Sequence, residues 1–206
     1  MDMNTQLPSI WTFYLYNKYA FKKIVKNSGF STKPYVDMAE LSTLNDLVYL
    51  LQLMEVKHPD GRLNLEINDS VIMRKGIEPI WEDPKNQNGG IFSIKVPHEK
   101  GYALWSLLVM YLLGGTLMED RELENVNGIS FNTVTENGKI YNLIKIWDGS
   151  PQRTRDSFVN LLPLDVLKMI KGESMIYQSI NQKRDFNKEF IIHKIKNVNR
   201  QNGFKR

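Results

Sequence analysis

The pair Asn137-Gly138, between Glu136 and Lys139, separates two stretches, 128–135 and 140–147, that read as strands. Asn-Gly in that setting is a strong hairpin signal, because it suits the tight turn that joins antiparallel strands. A chain that contains it is committed to antiparallel pairing around this point. Other segments extend the pattern. Trp11-Thr12-Phe13-Tyr14-Leu15-Tyr16 is aromatic and strand-forming, and residues 34–41 alternate roughly enough to make another strand. Leu63, Leu65 and Ile67 alternate as a short strand after the turn His58-Pro59-Asp60-Gly61. Residues 91–96 and 175–180 complete the set, with one more strand expected around 190–195.

Three segments carry the helical period instead. Leu44, Leu47, Val48, Leu51 and Met54 recur behind Ser42 and Thr43, two good N-cap residues, and predict an amphipathic helix ending near Glu55. Pro97 opens a second helix, which runs through Leu113 to the terminating pair Gly114-Gly115. It is apolar almost all round, so either it is sandwiched in the core or one face awaits a partner. Helical pattern resumes near Thr154, is divided by Pro163 and stops at Gly172. Hairpin links outnumber crossovers, so the expected class is α+β: a curved antiparallel sheet with about three helices packed on its convex face and a ligand on the concave one. With no internal repeat and no interior linker, residues 1–182 are expected to form one domain, with a basic segment, 183–206, belonging to it or appended.

The stretch Gly76-Ile77-Glu78-Pro79-Ile80-Trp81-Glu82-Asp83-Pro84-Lys85-Asn86-Gln87-Asn88-Gly89-Gly90 suits neither helix nor buried strand. Two prolines stiffen it and a polar turn closes it on two glycines, so it reads as an ordered loop holding Trp81 and Glu82 in one geometry. Taken alone, the same residues would suit a tryptophan that covers the edge of a core beside solvated acids.

Composition narrows the function classes. The 206 residues include no cysteine, which excludes disulfides, thiolate zinc sites and a cysteine nucleophile and fits a reducing compartment. No signal-peptide pattern is present, and the longest nearly apolar run, 102–113, is shorter than the roughly 20 residues of a membrane-spanning helix. A soluble, intracellular protein without a membrane partner is expected. The net charge of +4 is uneven, because eight Lys or Arg against two acids lie from Lys183 onward. A basic tail of this kind attracts RNA, or merely solubilises the chain. His58, His98 and His193 lie in unrelated segments, and no phosphate loop, dinucleotide fingerprint or nucleophile elbow is found. A non-enzyme without metal or cofactor is expected.

The run from Gly76 to Asp83, followed by Lys85-Asn86 and Gly89-Gly90, resembles the signature of the translation initiation factor 4E family. Trp11, a first helix over 41–51, Trp105, Leu112-Leu113-Gly114, Gly128, Asn132, Trp147 and Tyr177-Gln178-Ser179 follow in matching order, so the resemblance spans roughly residues 7–179. It implies a cytoplasmic, non-catalytic protein that binds the 7-methylguanosine 5′ cap of messenger RNA for translation initiation, and one expected to be a monomer. The charged, methylated base would lie between two aromatic side chains, held by cation–π attraction. Trp81 is one by resemblance. Glu82 would accept two hydrogen bonds from the edge of the base. Trp147 corresponds to the residue that meets the methyl group.

Two features depart from the family pattern. No tryptophan lies between Trp11 and Trp81, so the second stacking residue is expected to be Phe30, with Tyr35 as the alternative. The family's phosphate-binding arginine and lysine align with Val134 and Leu143, which leaves Lys145, Lys139, Lys183 and Arg184 as candidate phosphate contacts. The family also implies a partner on the helical face, an initiation scaffold protein or a lineage-specific equivalent, over Leu44, Val48, Ser106, Leu107 and Met110. The alternative is a module of the same fold that engages such a scaffold without gripping a cap tightly.

Overall fold

The computed structural model describes residues 2–16 and 35–180. Seven strands, β1 (Gln6–Tyr16), β2 (Tyr35–Thr43), β3 (Asp69–Arg74), β4 (Gly90–Pro97), β5 (Val126–Glu136), β6 (Lys139–Asp148) and β7 (Ser174–Ser179), form one curved antiparallel sheet in the order β2-β1-β3-β5-β6-β4-β7. Three helices of seven residues or more, α1 (Leu44–Glu55), α3 (His98–Leu113) and α6 (Leu164–Ile170), pack with the short turns α2 (Asn64–Ile67), α4 (Asp120–Leu123) and α5 (Arg155–Val159). Among the described residues, no helix is long and apolar enough to cross a membrane.

Local chemistry explains most boundaries. Thr43 caps α1: its hydroxyl oxygen accepts from the Asp46 N–H at 3.2 Å, while Asp46 Oδ2 accepts from the Thr43 N–H at 2.8 Å. That reciprocal box satisfies amides the first helical turn leaves orphaned. The β5–β6 hairpin turns at Asn137 (φ +51°) and Gly138 (φ +75°), both in the left-handed region a type I′ turn requires. Thr154 caps α5, Pro163 precedes α6, and Gly172 (φ +83°) follows it.

The principal core lies between the sheet and the helices. Trp11, Phe92, Trp105, Phe131 and Phe158 are fully buried there. Helix α3 supplies Leu104, Trp105, Leu108, Val109, Leu112 and Leu113 to it, whereas Met110 is exposed, so the helix lies over the sheet with one side outward. The opposite face of the sheet, helix-free among the described residues, has a smaller cluster of Val71, Met73, Ile77 and Trp147, with Tyr14, Tyr35 and Ile91 packed against it. Central strand β3 therefore faces apolar neighbours on both sides, with Ile72 in one cluster and Val71 and Met73 in the other.

Two expectations need correction. The strand expected at Leu63, Leu65 and Ile67 is the helical turn α2, in which Glu66 Oε2 accepts from the Leu63 N–H at 2.8 Å and closes the turn on itself. The strand entering the loop is instead β3, whose continuous apolar run Val71-Ile72-Met73 lacks the alternation of a half-exposed strand. The first helix begins at Leu44, because residues 41–43 still belong to β2. The strand expected at 190–195 lies outside the described residues.

Candidate functional site

The loop of residues 76–90 leaves β3 through Gly76, at φ +84°, and enters β4 at Gly90. It has no regular element, yet its polar groups are tied together. Asp83 accepts from the Glu78 N–H at 2.9 Å with one oxygen and from the Lys85 N–H at 2.8 Å with the other. Asn86, 1% exposed, donates through Nδ2 to the carbonyls of Glu78 (2.9 Å) and Ile80 (2.8 Å). Asn127 on β5 donates to the Lys85 carbonyl at 2.8 Å and to Asn86 Oδ1 at 3.0 Å. Asn127 stands where the β5–β6 register shifts between Val126 and Gly128, and such irregularities re-aim side chains out of a regular ladder.

Trp81 and Glu82 follow directly on this braced segment and are exposed. The four tryptophans separate by exposure: Trp11 and Trp105 are 0% exposed, Trp147 is 8% exposed and Trp81 is 48% exposed. The first two are core residues, and Trp81 is the one on display. Trp147 is buried in the cluster on the helix-free face, with its Nε1 3.4 Å from Ser130 Oγ.

Both feet of the loop stand beside Trp147. Ile77 packs in the Trp147 cluster. At the other foot, a Cβ built on Gly89 would lie 1.9 Å from the Asp148 carbonyl oxygen, so only glycine permits that approach. Asp148 is itself buried and accepts from Arg153 Nε (2.8 Å), Tyr177 Oη (2.9 Å) and the Ser150 N–H (3.0 Å). Burial pushes its carboxyl upward, against those donors and the Arg153 charge. Burial and the neighbouring Asp148 charge push the Tyr177 phenol upward as well. Arg153 continues to Glu122 at 2.6 Å, so the network links the Trp147 strand to β7, α4 and the following turn.

Between β1, β2 and the first half of the loop lies a pocket of about 210 Å³ lined by Tyr14, Tyr35, Asp37, Glu78, Pro79 and Ile80. Tyr35 lies 5.4 Å from Tyr16, ring centroid to centroid, and burial is the main reason its phenol is pushed upward. Strand alternation thus turns Tyr35 to the helix-free face, the side of the loop and Trp147, rather than into the main core.

The remaining candidates fall into three groups. Lys145 is half-buried on the same face as Trp147, two residues along β6, and Lys139 is exposed beside the hairpin tip. Phe30, Lys183 and Arg184 lie outside the described residues. On the helical face, Leu44, Val48, Ser106 and Leu107 are half-buried and Met110 is 45% exposed. α1 and α3 are joined there by a hydrogen bond from Tyr102 Oη to the Leu51 carbonyl, 3.0 Å. The sequence names Asn86 only as part of the loop motif and gives no role to it, nor to Asn127, Asp148 or Arg153. An asparagine in a loop looks like any turn residue until a partner 41 positions away is folded against it.

The fold and site define a class: a curved antiparallel sheet, helices on one face, that displays a tryptophan–glutamate loop beside its open face. The chain belongs to the eukaryotic initiation factor 4E family, whose model matches residues 6–195. It is 38% identical to a eukaryotic translation initiation factor 4E homolog of Acanthamoeba polyphaga mimivirus, over 98% of this chain and 89% of that one. Among solved structures it is similar to a schistosome eIF4E complexed with m7GpppG and 4E-BP, at a TM-score of 0.62 and 20% identity, covering 89% of this chain and 92% of that one. A similar match is the complex of Caenorhabditis elegans eIF4E-3 with the 4E-binding protein Mextli and a cap analog, at a TM-score of 0.60 and 17% identity, covering 88% and 95% of the two chains.

Proposed function

We propose that this chain binds the 7-methylguanosine 5′ cap of messenger RNA, without chemical conversion, as a cytoplasmic, monomeric factor in translation initiation. The observation that carries the reading is the loop of residues 76–90, in which buried Asn86 ties the Glu78 and Ile80 carbonyls just ahead of an exposed Trp81 and Glu82, and whose Ile77 packs in the cluster that contains Trp147. A rigid aromatic next to a carboxylate suits a flat, positively charged purine, because the ring face attracts the cation and the carboxylate accepts from the base edge. In this reading Trp81 stacks on one side of the base and Glu82 reads its edge. Trp147 offers its rim to the methyl group, and the second stacking side chain is Phe30, with Tyr35 as the alternative. Lys145, Lys139, Lys183 and Arg184 are the candidate cations for the phosphates.

Structures of similar chains hold m7GpppG or a cap analog, which supports the ligand class. Those chains are complexed with 4E-BP and with Mextli, respectively. For this chain, the helical face around Leu44, Val48, Ser106, Leu107 and Met110 is the surface proposed for a scaffold protein or its lineage-specific equivalent. The half-exposed Met110 among half-buried neighbours favours an apolar segment of such a partner.

Titration with 7-methyl-GTP, followed by tryptophan fluorescence, tests the cap reading. Quenching that saturates below millimolar ligand, is much weaker for GTP and disappears in Trp81→Ala is the expected result. Equal binding of GTP, or none of either nucleotide, overturns it and leaves the scaffold-binding module as the function.

A further inference from the structure

The helix-free face continues well past the loop and Trp147. β5 and β6 are 11 and 10 residues long, yet β3 pairs with β5 only from Gly128 to Phe131, so the hairpin extends beyond it. Along β6, every second residue faces the same side as Trp147: Lys145, Leu143 and Tyr141. On β4 the matching positions are Ile91, Ser93 and Lys95, paired with Trp147, Lys145 and Leu143. At about 3.3 Å per residue, Tyr141 lies roughly 20 Å along the strand from Trp147.

A built arrangement stands at that far end. Lys95 Nζ lies 5.0 Å from the centroid of the Tyr141 ring on the adjacent β6 and 2.7 Å from Glu136 Oε2 on β5, one strand further across. The Glu136 hydrogen bond pushes the Lys95 ammonium upward, so it stays charged throughout the physiological range. An aromatic ring with an adjoining ammonium is the pairing that proteins use to hold single-stranded nucleic acid, where a base stacks and a phosphate is neutralised. Lys95 and Glu136 are partly open to solvent, so a phosphate could take the place of the carboxylate without either charge being buried.

We propose that Tyr141 and Lys95 form a second station, for the body of the RNA beyond its cap, with Tyr141 stacking a base and Lys95 neutralising a phosphate, and with Glu136 as the competitor that keeps the station weak. The proposal rests on the cap reading for the direction in which the RNA runs, from the Trp147 end of β6 toward the hairpin. Its distance from Trp147 puts the station beyond the reach of a cap mononucleotide and assigns it to the nucleotides that follow. Lys145 lies between the two ends on the same face.

Affinities for 7-methyl-GTP and for a capped RNA hexanucleotide, measured side by side by fluorescence, test the station. The wild-type chain binds the hexanucleotide more tightly. Tyr141→Ala and Lys95→Gln each weaken hexanucleotide binding about five- to tenfold, within the range expected for a lost stacking or phosphate contact, and leave 7-methyl-GTP within twofold. Tyr141→Phe restores the wild-type value, and Glu136→Gln strengthens hexanucleotide binding about two- to threefold. Lys95→Gln also lowers the slope of log affinity against log salt by about 0.7. Equal wild-type affinity for the two ligands overturns the station, as does an equal loss for both in the variants. If 7-methyl-GTP fails to bind at all, the cap reading alone falls. The same variants are then compared on an uncapped 5′-triphosphate hexanucleotide, where no difference between wild type and variants overturns the station.

Discussion

Replacing Asn86 by alanine is the most direct challenge to the account of the display loop. The substitution removes two donated bonds, to the Glu78 and Ile80 carbonyls, and the oxygen that accepts from Asn127. At a net ~1 kcal/mol per bond, with an added penalty for an N–H of Asn127 left buried without a partner, the expected loss is about 3–4 kcal/mol. For a chain of this size, that lowers the melting temperature by roughly 6–16 °C. Asn127→Ala loses two bonds, to Lys85 and Asn86, and is expected to cost about 2 kcal/mol. The two residues share one bond, so the double variant falls short of the sum by about 1 kcal/mol or more. Urea unfolding supplies the four stabilities, and hydrogen exchange reports whether amides of residues 78–89 lose protection ahead of the core. Additivity within about 0.3–0.5 kcal/mol, or a single-variant loss under 1 kcal/mol for Asn86→Ala, would refute the view that this pair holds the loop.

Further expectations concern the loop foot, the first helix and the hairpin. Gly89→Ala places a Cβ against the Asp148 carbonyl and is expected to cost about 3 kcal/mol in urea unfolding, with cap-analogue affinity falling alongside. Gly138→Ala, with nothing within 4 Å but φ at +75°, is expected to cost only about 1 kcal/mol. Thr43→Ala removes the N-cap of α1 and is expected to cost about 1 kcal/mol by the same measurement. The Asp46 carboxyl is held below its ordinary value of 3.8, chiefly by the Ser42 N–H and with help from Thr43. Its stabilisation is complete above that value and is lost as pH falls through the lower folded one. Amide protection in α1 is therefore expected to fall below about pH 4 in the wild type, with a shallower fall in Asp46→Asn.

The elements legible in the sequence are those whose signals are local. Thr43 with Asp46, Asn137-Gly138, Pro163 and Gly172 each act over three or four positions, and each marks a boundary in the structure. β3 was not legible, because a central strand buried on both faces lacks alternation, while Leu63, Leu65 and Ile67 alternate within what Glu66 closes into a helical turn. The side of the sheet to which Tyr35 turns was left open by its own segment. It depends on the pairing of β2 with β1, including the register shift between Phe13 and Tyr14.

By itself the sequence determined the antiparallel class, the first and second helices and the hairpin, since turn chemistry, capping and period are properties of neighbours along the chain. It also determined family membership, which is carried by a match along residues 6–195. Only the tertiary structure decided which tryptophans are core and which is exposed, because burial depends on what packs above a residue. It likewise decided what holds the loop in place. Asn86 finds Asn127, and Gly89 finds Asp148, only when β5, β6 and β4 lie side by side, and that adjacency arises from burying the apolar side of the sheet beneath the helices.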